Sequence, residues 1–182
     1  MKALDRYLQN VRINKAKKFI RQNDAVLDIG SVDGIMFEKL KGIIKKGIGI
    51  DPILKKAVIT DLYTLLPGYF PDACPDGQTF DCITMLAVLE HIPLHVQQQL
   101  AQNCHKILNP NGRVIISVPS PQVDKILDIL TKLKLIEGMS LEEHYGFNAK
   151  QTPLVFPEPY FKLIHYNSFQ FGLNNFYVFE KI

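Results

Sequence analysis

The chain has no tryptophan, only three cysteines in 182 residues, and no apolar run close to the ~18 to 20 residues that a membrane-crossing helix needs. Cys74, Cys82 and Cys104 are odd in number and form no C-x-x-C pair, so neither a disulfide framework nor a paired-cysteine zinc site is expected. Met1-Lys2-Ala3-Leu4-Asp5-Arg6 brings charge where a secretory leader would be apolar, and the expectation is a cytoplasmic protein without a membrane span. Excess charge of one sign is scarce too. A net +3 from 21 Lys and Arg against 18 Asp and Glu is small for a phosphate binder. The basic runs Lys15, Lys17, Lys18, Arg21, then Lys39, Lys41, Lys45, Lys46, then Lys55, Lys56 read first as solvated helix faces and loops. What is present is a globular composition, 47% apolar and 21% charged, in one domain over residues 1–182. A chain of this length buries about 70% of its unfolded surface.

Apolar residues at Leu4, Leu8, Val11, Ala16, Phe19 and Ile20 predict an amphipathic leading helix within residues 1–22. Buried strands are predicted at 25–30, 47–51, 57–60, 81–86 and 113–118, with helices at 35–44, 96–108 and near 121–135. A Pro, Gly and Asp-rich loop over 67–77 separates the third strand from the fourth. Nearly continuous apolar strands alternating with helices specify an α/β fold, a doubly wound, mostly parallel sheet covered on both faces. Phe161 to Phe171 and Phe176 to Phe179, divided by Gly172-Leu173-Asn174-Asn175, predict an antiparallel C-terminal strand pair and bring the sheet to seven strands.

Ligands of such sheets sit beyond the C-terminal ends of the strands, where strand order reverses. The first strand ends in Asp28-Ile29-Gly30-Ser31-Val32-Asp33-Gly34, an acid and a tight glycine turn that lets backbone approach a ligand. The second ends in Asp51, about twenty residues on, where a carboxylate can accept both ribose hydroxyls of an adenosine cofactor or merely open the Asp51-Pro52 turn. Asp61 follows 57–60, either near an adenine or as a turn aspartate. The spacing Gly30 to Gly34 lacks the third glycine of a nicotinamide-dinucleotide fingerprint. His91 and His95 are four apart with Pro93 between them and no third ligand, so no metal site is expected.

Val26 to Gly34, Gly49-Ile50-Asp51, Phe80-Asp81-Cys82-Ile83, Val88-Leu89-Glu90-His91-Ile92 and Leu108 to Arg113, in that order, resemble class I S-adenosylmethionine-dependent methyltransferases. The narrower likeness is to the type-11, UbiE-like small-molecule group. The resemblance implies an enzyme that uses S-adenosylmethionine and releases S-adenosylhomocysteine. It assigns Gly30, Ser31 and Gly34, with Asp28 steadying the turn, to the methionine end, Asp51 to the ribose, Asp61 and Leu62 to the adenine, and Met85 and Leu86 to the cofactor's amino group. Val32 stands where the family's turn usually has a glycine.

Methyl transfer from a sulfonium is an in-line displacement, and a base is required only where the acceptor loses a proton. His91 is the candidate base; a helix-start histidine that orients a loop is the alternative. Residues 136–160, rich in Pro and aromatics, are the expected substrate cap, with His144 and Tyr145 as substrate residues and Phe147, Phe156 and Tyr160 as further candidates; aromatic packing over the sheet edge is the alternative for Tyr145, Phe147, Phe156 and Tyr160. A small-molecule acceptor is the primary reading. RNA methylation gripped by the basic leading helix, or a non-catalytic binding protein of this fold, are the alternatives, and the sequence is silent on oligomeric state.

Overall fold

In the computed structural model, which describes residues 3–120 and 148–182, the apolar runs condense into one mixed sheet. The strands in chain order are β1 (Ala25–Ile29), β2 (Lys46–Asp51), β3 (Val58–Ile59), β4 (Tyr63–Pro67), β5 (Phe80–Leu86), β6 (Leu108–Pro119), β7 (Phe161–Phe169) and β8 (Asn174–Lys181). Their spatial order is β3-β4-β2-β1-β5-β6-β8-β7. The five strands from β4 to β6 are mutually parallel, and β8 and β7 run antiparallel at one edge, as the aromatic tail predicted. An eighth strand is added by β3, two residues long and antiparallel to β4. Winding proceeds one way through β2 and β4 and the other way through β5 and β6, so strand order reverses beside β1.

Period-two alternation distributes the core over both faces. Val26, Cys82, Ile115 and Val178 point to one side, where they meet Ile13, Ala16 and Ile20 of the leading segment and Met36, Phe37 and Leu40. Leu27, Ile83, Val114, Ile116 and Phe179 point to the other and meet Leu100, Ala101 and Cys104. Among the described residues the α-helices are α1 (Ala3–Ala16), α2 (Ile35–Lys39), α3 (Leu94–Ile107) and α4 (Thr152–Val155), with a 3-10 turn at Lys17–Phe19 prolonging α1. Gly47 lets α2 lie directly on β2: a Cβ there would come within 2.4 Å of the Phe37 ring. Where α1 returns to the sheet, Arg113 Nη2 donates to Asp24 Oδ2 at 2.7 Å with both side chains buried, and Arg113 Nη1 donates to the Phe19 carbonyl.

Two expectations are corrected. Residues 57–60 do not supply the third parallel strand; only Val58 and Ile59 pair, on the edge, while Tyr63–Pro67 takes the inner place beside β2. The expected 35–44 helix is regular only to Lys39, since the chain turns through Leu40 and Gly42, the latter at φ 79°, into β2. The helix expected near 121–135 lies outside the described residues.

Candidate functional site

Ile29 ends β1, and the chain then turns sharply. Gly30 at φ 88° and Gly34 at φ 65° occupy left-handed backbone, which glycine adopts without strain. Each glycine is also required by a neighbour. A Cβ on Gly30 would lie 2.3 Å from Val88 Cγ2 of the loop after β5, and one on Gly34 would strike the Tyr63 ring at 2.7 Å. The turn is fastened to β2 as well, Gly30 N–H and Ser31 N–H both donating to the Ile50 carbonyl at 2.8 and 3.3 Å.

Above this turn lies a cleft of about 390 Å³ counting its open mouth, floored by Asp28, Gly30, Ser31, Val32 and Asp33 and bounded by Ile35, Met36 and Leu86. Gln9, Arg12 and Ile13 of α1 form its roof. Asp28 is 7% exposed and accepts the Thr84 hydroxyl at 2.6 Å. Burial pushes its carboxyl up to about 6, against hydrogen bonds from Thr84 and Ser31 that hold it down and the charges of Asp33 and Asp51 that lift it further. Across the cleft, burial pushes the Arg12 guanidinium below its usual range, opposed by Glu90 and then Asp5, and its enclosed Nε has no hydrogen-bond partner. The site thus holds a desolvated carboxylate on its floor and an incompletely satisfied cation in its roof.

Asp51 closes β2 at the same end of the sheet. Its Oδ1 accepts the Ile53 N–H at 2.8 Å, so the turn role weighed for it is real, and no partner is found for Oδ2 among the described residues. Burial raises its carboxyl, against the Ile53 bond. Leu86 lines the cleft, whereas Met85 is wholly buried in the core between β1 and β6. His91 lies in a 3-10 turn, Leu89–His91, just beyond β5 and outside the lining of this cleft.

Asp61 and Leu62 are not brought to the site. They precede β4, and the Leu62 carbonyl accepts the Gly47 N–H at the start of β2, so the pair stands at the far end of the strands from Asp28 and Asp51. At the Asp51 end of the sheet β4 closes on Pro67, and the next residue, Gly68, donates its N–H to the Asp51 carbonyl at 3.2 Å. His144, Tyr145 and Phe147 lie outside the described residues. The described part of the expected cap packs elsewhere: Phe156 stacks on Phe179 at 5.2 Å, in the α3-side core, and Tyr160 meets His105 at 5.3 Å. The basic residues are divided between the two ends of the sheet: Lys17 Nζ donates to the Lys39 carbonyl, whereas Lys15 Nζ lies over the Phe169 and Phe176 rings at 4.9 and 5.3 Å, beside the C-terminal end of β6. Sequence reasoning missed the roof. Gln9 and Arg12 carried a signal only as polar residues on a helix face that otherwise turns apolar residues inward.

A family model described as "Methyltransferase domain" matches residues 3–167. The chain is 28% identical over 111 residues to the ubiquinone biosynthesis O-methyltransferase of Paraburkholderia phytofirmans, covering 56% of this chain and 47% of the relative. It therefore spans about half the length of the curated relatives it matches. In structure it is similar to the N-methyltransferase NodS from Bradyrhizobium japonicum WM9, with a TM-score of 0.68, 13% identity and coverage of 97% and 98% of the two chains. It is also similar to the magnesium protoporphyrin IX methyltransferase of Synechocystis PCC 6803, solved with bound SAH, with a TM-score of 0.63, 15% identity and coverage of 97% and 83%. At such identities the structural likeness is one of fold.

Proposed function

Because the chain belongs to the methyltransferase-domain family, we propose that it transfers a methyl group from S-adenosylmethionine to a small-molecule acceptor. One observation carries the cofactor reading: a single cleft sets desolvated Asp28 against a guanidinium whose Nε lacks a partner. The methionine end of the cofactor is a zwitterion, with an ammonium for Asp28 and a carboxylate for Arg12, and hydrogen bonds to charged groups are the strong ones. Asp51, one strand over, offers Oδ2 to the ribose hydroxyls, and the residues present fit the group.

When bound, the cofactor supplies a methyl already activated on sulfonium sulfur. What remains for the protein is alignment, on the order of 7 to 11 kcal/mol at best. The floor Gly30–Asp33 and the roof of Gln9, Arg12 and Ile13 hold the methionine end and keep water from it. An oxygen acceptor must lose a proton, and His91, in the turn after β5, takes it from the acceptor hydroxyl in this reading. The likeness to ubiquinone-biosynthesis O-methyltransferases supports an oxygen acceptor. Among the described residues no helix is long and apolar enough to cross a membrane.

Calorimetry with S-adenosylhomocysteine, followed by transfer of a labelled methyl to small phenols, lipids and RNA, tests the reading. Binding and label in a small molecule are expected. Label in RNA overturns the acceptor class, and absence of binding favours the non-catalytic alternative.

A further inference from the structure

One carboxylate in the glycine turn serves two helices. Asp33 Oδ1 accepts the Ile35 N–H at 3.3 Å, at the start of α2, and the Gln9 side-chain amide of α1 at 3.2 Å. Its Oδ2 pairs with Arg6 Nη1 at 2.7 Å, and the same nitrogen donates to Gln9 Oε1 at 2.9 Å. Arg6, Gln9, Ile13 and Ala16 step by three, four and three along α1 and share one face, which Ile13 and Ala16 bury against the sheet. Arg6 and Gln9 are thereby pinned to the turn that floors the cleft. The pinning holds Arg12 and Ile13 over it as a roof.

We propose that Asp33 is a positioning residue for cofactor retention: it latches α1 across the methionine end of the cleft and sets how long the cofactor stays. The inference rests on the reading of this cleft as the cofactor site. Side-chain exposures of 41% for Arg6 and 26% for Asp33 place the latch among partly exposed pairs. Its loss therefore changes a rate several-fold without unfolding the domain.

The test compares S-adenosylhomocysteine with 5′-methylthioadenosine, which keeps the adenosine and lacks the amino-acid end. Asp33→Asn retains an oxygen for the Ile35 N–H and removes the charge that Arg6 meets; Arg6→Gln removes the other partner. By stopped flow, either variant releases S-adenosylhomocysteine about two- to fivefold faster and the double variant no faster than the singles, while 5′-methylthioadenosine release is unchanged. Salt at about 0.5 M speeds release from the natural protein and not from Arg6→Gln. Arg12→Gln checks the underlying reading: an unaltered preference between the two ligands defeats the cleft assignment itself. With that preference reduced in Arg12→Gln, unchanged S-adenosylhomocysteine release in Asp33→Asn overturns the latch. So does equal acceleration of both ligands with a lowered melting temperature, the mark of a merely structural aspartate.

Discussion

Replacing Asp28 with asparagine separates what the buried carboxylate costs the fold from what it gives the site. In the folded chain it titrates near 6, raised first by burial, against an ordinary value of 3.8. The folded state therefore holds this proton more tightly than the unfolded state. That contribution to stability is complete below about 3.8 and is lost as pH rises through about 6. Above that pH the ionised side chain costs the fold up to about 3 kcal/mol, from roughly two pK units at 1.36 kcal/mol each. Asparagine keeps the acceptor oxygen for the Thr84 hydroxyl and never ionises. The apo Asp28→Asn protein is expected to melt roughly 5 to 10 °C higher at pH 8, given ~2 to 4 °C per kcal/mol for a chain of this size. The gain shrinks between pH 6 and 4. Cofactor affinity moves the other way, falling at least about tenfold as the ammonium loses its counter-charge. Melting curves of both proteins at pH 8 and pH 4, paired with calorimetry at pH 8, decide the matter. A destabilised variant at pH 8, or a stabilisation that does not vary with pH, refutes the reasoning.

Asp51→Ala should weaken S-adenosylhomocysteine binding by at least about tenfold, read by calorimetry with an unchanged melting curve as the control for turn damage. His91→Ala should lower kcat on the true acceptor and leave cofactor affinity alone; a lower melting temperature with kcat intact assigns it a structural part instead. Arg113→Met leaves Asp24 buried without its cation, and urea denaturation should show a loss of about 3 to 5 kcal/mol, whereas a loss under 1 kcal/mol contradicts the buried pairing.

The sequence made the inner strands legible where an apolar run ends in a small or acidic residue, as at Ile29-Gly30 and Ile50-Asp51, because burial on both faces leaves an uninterrupted signal. It misplaced the third parallel strand for the same reason. Val58 and Ile59 offer the β-branched pair that periodicity seeks, while Tyr63–Pro67 ends in proline and merges with the loop beyond. Asp61 and Leu62 were carried to the wrong end of the sheet by that shift. The floor of the site was readable because one contiguous turn supplies it. The roof was not, since which face of α1 meets which strand end depends on contacts such as Arg6 with Asp33, 27 residues apart, that no local pattern encodes.

The buried pair of Asp24 and Arg113 bears on the order in which the chain takes shape during synthesis. The two residues are 89 positions apart, and Arg113 also holds the Phe19 carbonyl at the exit of the leading helix. At roughly 5 to 20 residues per second, the helix leaves the ribosome several seconds before its anchor exists. During that interval Ile13, Ala16 and Ile20, buried in the finished domain, lack the β6 side of their core, where Ile115 packs. Phe176 and Val178 of β8 complete the same core later still, so until the far edge of the sheet is made the nascent chain presents an apolar helix face to its surroundings.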